Sequence, residues 1–252
     1  MNGEFDFRPE ITENNASEQS PEQTENKLDG SDEKKLITFH DIVKNKEIKT
    51  YLEKGDKYLG TLGYTNHSLL HAQRVAKVAH NILTAFGYDK RTAELGRIAG
   101  YMHDIGNVVN RMDHAQTSAV MAFSILTRLG MDPNEIAKII AAIGNHDEGS
   151  GTPVNQLASA LIIADKTDVR RSRVKNRDYS TFDIHDRVNY AAVETDVHIN
   201  NRKITLDLKI DTDICPVSEY FEIFLGRMVM CKKAAEAING VFELMINDTK
   251  LM

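Results

Sequence analysis

From Ile37 to about Arg177, apolar residues recur at the spacing of amphipathic helices, with polar or glycine-containing breaks between the stripes. The pattern predicts helices over about 41–60, 66–86, 90–104, 114–129, 133–146 and 156–173. Val75, Val78, Ala79, Ile82 and Phe86 share one face of the second, and Gly87 follows as a helix-ending glycine. Asp132-Pro133 is a start signal, with Asp as the cap and Pro in the first turn. The period then changes. Val193, Thr195, Val197 and Ile199 alternate with polar residues, as do Ile204, Leu206, Leu208 and Ile210, and Asn200-Asn201 between them predicts a β-hairpin. A last helix is predicted from about Val217 to Ile246, striped by Phe221, Phe224, Leu225, Met228, Ile238, Phe242 and Met245. The expected fold is mostly α: a helical domain over residues 35–180, then a small α+β appendage over 181–252 made of the hairpin and the long helix.

Composition narrows the class. At 252 residues, 41% hydrophobic and 27% charged, the chain fits an ordinary soluble protein with a real core. No apolar run approaches the roughly 18 residues of a membrane span, and MNGEFDFRPE has neither a basic nor an apolar leader region. Cys215 and Cys231 form neither a C-x-x-C site nor a disulfide framework. A reduced, cytoplasmic protein is expected. The net charge of −6 belongs to the first 34 residues, whose ten acids and three bases leave the rest of the chain at about +1. That near-neutral remainder argues against a nucleic-acid duplex as partner, which needs clustered Lys and Arg. The acidic segment, rich in Glu, Asn, Ser and Gln, is expected to be disordered.

The histidines carry the chemistry. His40, His80, His185 and His198 have polar or irregular settings, whereas His71, His103, His114 and His146 lie at ends of apolar stripes. His71 shares a face with Val75, Val78 and Ile82, and His114 with Ser118, Met121, Ile125 and Leu129. His103-Asp104 ends the stripe Leu95, Ile98, Ala99 and Met102, and His146 ends Ile139, Ala142 and Ile143. Asp165 joins Leu157, Leu161 and Ala164, which puts a carboxylate where core should be. An unpartnered buried carboxylate costs several kcal/mol. A divalent ion removes that cost, because imidazole and carboxylate both ligate transition metals. Any one of these histidines alone reads as a hydrogen-bonded core residue. Five helices each delivering His or Asp from the inward face point to a shared ligand.

The parts HAQRVAKVA (71–79), GYMHDIG (100–106) and ALIIADKTD (160–168) resemble the signature of the HD-domain metal-dependent phosphohydrolases, over about residues 64–177. The resemblance implies an HD-domain helical bundle in which His71, His103, Asp104 and Asp165 hold one divalent metal. HAQTSA (114–119) and IIAAIGNHDEG (139–149) are similar to the added histidine motifs of two-metal HD proteins. There Asp104 would bridge, as the catalytic residue, and His114 and His146 would ligate a second ion, the pair acting as a clamp for phosphoryl transfer. Iron, manganese, nickel, cobalt or zinc would suit, with magnesium also accepted. The stretch HDEGSGTPVNQLASALIIADKTD has a partial likeness to the HD-GYP cyclic-dinucleotide phosphodiesterases. It departs from them at Thr152-Pro153 (Tyr-Pro expected), at Asn107 (Lys expected) and in the early position of His114. HDIGNVV also lacks the acidic pair of guanosine-tetraphosphate hydrolases.

Around this set, His67 lies one turn before His71 and either adds a metal ligand or binds a phosphate oxygen, or is a rim histidine hydrogen-bonded to a neighbour. Asp147 is an outer ligand or a helix-end residue, and Asp168, one turn after Asp165, is expected to be structural. Lys166, Arg170, Arg171, Arg173, Lys175 and Arg177 form the one basic run, read as a solvated helix end or a phosphate site. Lys166, Arg170 and Arg171 with His67 are the substrate-binding candidates. The hairpin must pack on something, either its own helical domain or, with the Phe-rich last helix, a second copy in a homodimer. The function expected is hydrolysis of a small, nucleotide-like phosphoester by metal-activated water. The alternative is a non-catalytic metal-containing HD module used for ligand sensing or dimerisation.

Overall fold

The computed structural model describes residues 36–252. The acidic tail expected over residues 1–34 lies outside them. Helices α1 (Phe39–Lys44) and α2 (Lys46–Thr61) occupy the first predicted helical stretch, broken at Asn45, whose side chain caps α2 by accepting from Glu47 and Ile48 N–H. They are followed by α3 (Leu69–Ala85), α4 (Lys90–Met102), α5 (His114–Leu129), α6 (Pro133–Gly144) and α7 (Gln156–Lys166). Asp89, Asp132 and Asn155 cap α4, α6 and α7 in the same way. The mostly α fold class holds.

Helix α7 is central. Leu157 to Ala164 are all buried, because the helix packs on α3, α4, α6 and α9 at once. Each Leu or Ile so buried contributes about 1.5–3 kcal/mol. Only Gln156, at the start of the helix, and Asp165, in its last turn, keep some exposure. The helix ends at Lys166, well short of Arg173: Thr167 Oγ1 turns back to the Ile163 carbonyl, and Arg170 is fully extended. The basic run is therefore a loop with a short 3-10 turn at Arg171–Arg173, not a helix end.

Helix α8 (Ile184–Ala191), which the periodicity does not reveal, leads into β1 (Ala192–Asn200) and β2 (Lys203–Ile210). The two strands pair antiparallel through a turn at Asn201 and Arg202, both with positive φ. Helix α9 (Val217–Ala237) then crosses back to β3 (Val241–Ile246), which runs parallel to β2, and β4 (Thr249–Lys250) closes the edge. The single long helix expected to Ile246 is thus a helix and a strand. Asn239, left-handed at φ 58°, and Gly240 break the chain between them. Phe242, Leu244 and Ile246 alternate with half-buried or exposed residues and lie in register with Ile204, Leu206 and Leu208. Their shared apolar face packs on α9, and α9 lies against α7. The hairpin also touches the helices directly, through Thr195 Oγ1 to the Val169 carbonyl and Arg202 to the Phe86 carbonyl.

Candidate metal centre

Two close helix contacts bring the inward His and Asp residues together. At Gly100 the helices α3 and α4 approach so closely that a Cβ would stand 2.8 Å from Ala76 Cα. His71, in the first turn of α3, and His103, capping α4, consequently have Nε2 atoms 3.3 Å apart. At Gly106, in the 3-10 turn Ile105–Val108, a Cβ would lie 2.5 Å from the His114 carbonyl oxygen. The Gly106 N–H donates to Ser118 Oγ at 2.8 Å, which fastens this turn and Asp104 before it to the start of α5.

Four donor atoms form a first cluster. His71 Nε2 lies 3.3 Å from Asp165 Oδ1 and 3.6 Å from Asp104 Oδ2, and His103 Nε2 lies 3.3 Å from Asp104 Oδ2 and 3.6 Å from Asp165 Oδ1. Ligands bonded at about 2.0–2.2 Å around a four- to six-coordinate ion stand roughly 3.0–3.5 Å from one another. The spacing matches. A second cluster adjoins it: His114 and His146 Nε2 are 3.2 Å apart, and His114 Nε2 is 3.6 Å from Asp104 Oδ1. Asp104 turns one carboxylate oxygen to each cluster. All of these side chains are buried except Asp165, which is nearly so.

The protons show what the clusters lack. His103, His114 and His146 each donate Nδ1–H to a backbone carbonyl, of Gly100, Arg111 and Ile143, at 2.8, 3.1 and 2.6 Å. His71 Nδ1 donates to Asp168 Oδ2 at 2.7 Å. With Nδ1 donating, each of the four rings in its neutral form turns the Nε2 electron pair inward. Two such pairs facing each other at 3.2–3.3 Å repel unless a positive charge lies between them. Asp104 Oδ2 is buried and accepts no hydrogen bond, while Oδ1 accepts only from Asn107 Nδ2, at 2.8 Å. This donor set fits divalent cations.

Burial opposes charge on every group here, yet it does not always win. It pushes His146 down to about 3 and lowers His114 and His67, so these rings are neutral. His103 moves the other way, up to about 10, because Asp104 and Asp165 outweigh its burial. Asp104 and Asp165 are held well below the carboxylate range despite burial, Asp104 chiefly by His103 and Asp165 chiefly by Lys166, whose Nζ donates to Asp165 Oδ2 at 2.8 Å.

A cavity of about 280 Å³ opens onto Asp104, His114 and Asp165. His67 and Lys166, two of the substrate-binding candidates, line it. His67 belongs to neither cluster of donor atoms; its Nδ1 donates to the Thr65 carbonyl at 2.7 Å. Arg170 and Arg171 do not line the cavity. Arg170 Nε donates to Asp168 Oδ1 at 2.7 Å, and Arg171 Nε donates to the Tyr190 carbonyl at 2.6 Å with its guanidinium over the Tyr190 ring. Because the chain turns at Thr167, these two cations are spent on structure. Their place is taken by Arg111, Arg173 and Arg227. Arg173 belongs to the basic run; Arg227 on α9 and Arg111 before α5 stand alone in sequence and give no local signal. His185, in a polar setting, also lines the cavity, as do Asn189 and Phe224. Asp147 Oδ1 reaches 3.9 Å from His114 Nε2.

The arrangement is a helical domain with buried His/Asp clusters that could hold a metal ion. Residues 64–170 match the HD-domain family, and the chain carries an HD domain. Among solved structures, it is similar to the crystal structure of a predicted HD superfamily hydrolase from an uncultured Thermotogales bacterium. The two share 26% sequence identity over 49% of this chain and 67% of the other, with a TM-score of 0.40. No curated protein matches the chain significantly. Among the described residues, no helix is long and apolar enough to cross a membrane.

Proposed function

We propose that this HD domain is a metal-dependent phosphohydrolase acting on a small phosphoester, nucleotide-like in size and charge. His71, His103, Asp104 and Asp165 would hold one divalent ion, and Asp104, His114 and His146 a second. Iron, manganese, nickel, cobalt and zinc all suit this donor set. When bound, such ions supply a water acidified toward neutral pH and positive charge opposite the leaving oxygen. The observation that carries the reading is Asp104, which presents Oδ2 to one histidine pair and Oδ1 to the other at the mouth of a cavity lined with cations.

The chain's own residues have distinct tasks. Lys166, Arg173 and Arg227 give the cavity a positive wall that draws in and orients phosphate oxygens, in a setting where burial strengthens each attraction. Asn107 fixes the Asp104 carboxylate through Oδ1, and Asp168 fixes the His71 ring through Nδ1. Phe224 offers an apolar surface for the part of the substrate that does not react.

Metal content of the purified chain, followed by turnover of p-nitrophenyl phosphate, bis-p-nitrophenyl phosphate and a nucleotide panel with each metal, tests the reading. Metal-dependent release of p-nitrophenol or phosphate, abolished with the metal content in Asp104→Ala, is expected. A metal-loaded chain that turns over nothing in the panel would instead favour a ligand-sensing module.

A further inference from the structure

Arg111 lies in the loop between the turn at Ile105–Val108 and α5, held where Asn110 Oδ1 accepts from Met112 N–H and Asp113 adopts a left-handed φ of 54°. Its Nη1 stands 2.9 Å from His114 Nε2. The other nitrogen of that ring donates to the Arg111 carbonyl, so Nε2 carries an electron pair, and a guanidinium can only donate. One arginine thus fixes His114 from both sides. The pair it occupies is the same one His114 would offer to an ion shared with His146 Nε2, 3.2 Å away, and Asp104 Oδ1, 3.6 Å away.

We propose that Arg111 guards the second metal position: its guanidinium holds the His114 electron pair, and a second divalent ion enters only by displacing it. The proposal rests on the two-ion reading given above. Arg cannot lose its proton in a protein, so this occupant leaves by moving, never by titrating. Arg111 also lines the cavity and is half-exposed. Once displaced, its five N–H donors face the cavity through which a phosphate would approach. At the first position, formed by His71, His103, Asp104 and Asp165, Lys166 takes Asp165 Oδ2 and leaves Oδ1 to the histidines, and among the described residues no arginine lies on the histidine nitrogens, so this competition is absent. Filling should therefore be sequential, with the first ion tight and the second weakened by the guanidinium it must displace from His114 Nε2.

Equilibrium dialysis of the full chain against Mn²⁺, after stripping with chelator, reads the number of ions per chain at each free concentration. The parent should fill in two steps. Arg111→Gln should move the second step to at least about tenfold lower Mn²⁺ and the first by less than about twofold. Arg111→Lys, which keeps the charge without the planar fork, should fall between them. The loop is half-exposed, so folding is expected to survive, and equal circular dichroism spectra would verify it. A second step that is unchanged or weaker in a folded Arg111→Gln overturns the guard while leaving the metal centre intact. A parent that binds one ion only, with Arg111→Gln the same, also overturns it. No Mn²⁺ binding by any of the three proteins would overturn the metal-centre reading itself and the guard with it.

Discussion

Asp168→Asn removes a charge and little else, and it separates orientation of a ligand from the presence of the ligand. Asp168 is buried, with Oδ2 accepting from His71 Nδ1 at 2.7 Å and from Arg170 Nη2 at 3.2 Å, and Oδ1 accepting from Arg170 Nε at 2.7 Å and Arg74 Nε at 3.2 Å. An amide offers one oxygen where the carboxylate offers two. If that oxygen faces His71, the amide N–H₂ points at Arg170. If it faces Arg170, the N–H₂ meets His71 Nδ1–H, and the ring must move its proton to Nε2, the atom that faces the centre. Either choice loses one or two charge-assisted hydrogen bonds, each worth roughly 1.5–3 kcal/mol. Loss of such a partner to a metal-ligating histidine costs about 10–100-fold in metal affinity. In a domain of this size a loss of about 2 kcal/mol lowers Tm by roughly 4–8 °C.

The pH dependence gives an independent reading. Burial alone would raise the Asp168 pKa, but His71, Arg173 and Arg170 hold it well below the ordinary carboxylate value. A depressed pKa adds stability that is present above the unfolded value, about 4, and is lost as pH falls below it toward the folded value. The Tm gap between parent and Asp168→Asn, measured on metal-free protein, should therefore be full at pH 6–8 and shrink as pH falls below about 4. Metal affinity is measured by competition with a chromogenic chelator. An affinity within twofold of the parent, beside the expected fall in Tm, would refute the orienting role and leave Asp168 a purely structural anchor.

Other perturbations test other parts of the same arrangement. His114→Ala or His146→Ala should lower the metal content to about one ion per chain by elemental analysis and cut turnover by orders of magnitude, with His198→Ala as a control at full content; equal content in the parent and His114→Ala would exclude the two-ion site. Metal binding at pH 8 should release close to one proton per chain, because His103, raised to about 10, must give up its proton while His146, near 3, has none to lose. Calorimetry in two buffers of different ionisation enthalpy reads that number, and zero release would contradict it. Gly106→Ala should reduce stability and metal content together, since a methyl group there would press into the His114 carbonyl and Ser118 and drive the Asp104 turn away from α5; a parent-like Tm with parent-like metal content would show that the contact is not needed. Arg170→Ala with Arg171→Ala should leave KM for a phosphate substrate unchanged, because neither lines the cavity, and a raised KM would return them to substrate binding.

The metal-centre residues were legible because each closes or opens an apolar stripe, so the burial that forms the core also carries them inward. His71 rides with Val75 and Ile82, and Asp165 with Leu157 and Leu161, and all of these apolar partners are fully buried. Helical periodicity is a local signal, and it located the helices that hold the centre. It failed where a local signal has no content. Phe242 and Met245 continue a helical stripe from Phe224 and Met228 if the break is ignored. Asn239-Gly240 was the cue that a strand begins there, and only pairing with β2 makes that strand form. The basic run beyond Asp165 misleads for a related reason. Arg170 and Arg171 are near Asp165 in sequence, but the chain leaves helical geometry at Thr167, and Asp168 and Tyr190 take up both guanidiniums.

Residues remote in sequence take their place, and that division has a physical logic. Metal ligands need orientation to within tenths of an ångström, which helix ends packed in a core provide. The wall that meets a substrate needs only charge and shape, and any element that passes the opening can supply it. Here α8 and α9, beyond the segment that matches the HD family, bring His185, Asn189, Phe224 and Arg227 to the cavity. Arg227 is itself aimed: it forms an ion pair with Glu148, Nε to Oε1 at 2.5 Å, and its guanidinium lies over the Phe224 ring, 4.4 Å from the centroid. The same Glu148 carboxylate lies 3.9 Å from Lys166 Nζ, whose nearer partner is Asp165. A chain of alternating charges thus runs from Asp165 through Lys166 and Glu148 to Arg227, linking α9 to the first metal position. On the proposed function, selectivity among substrates would therefore reside in the C-terminal elements, while the clusters that could hold metal lie in the helices before them.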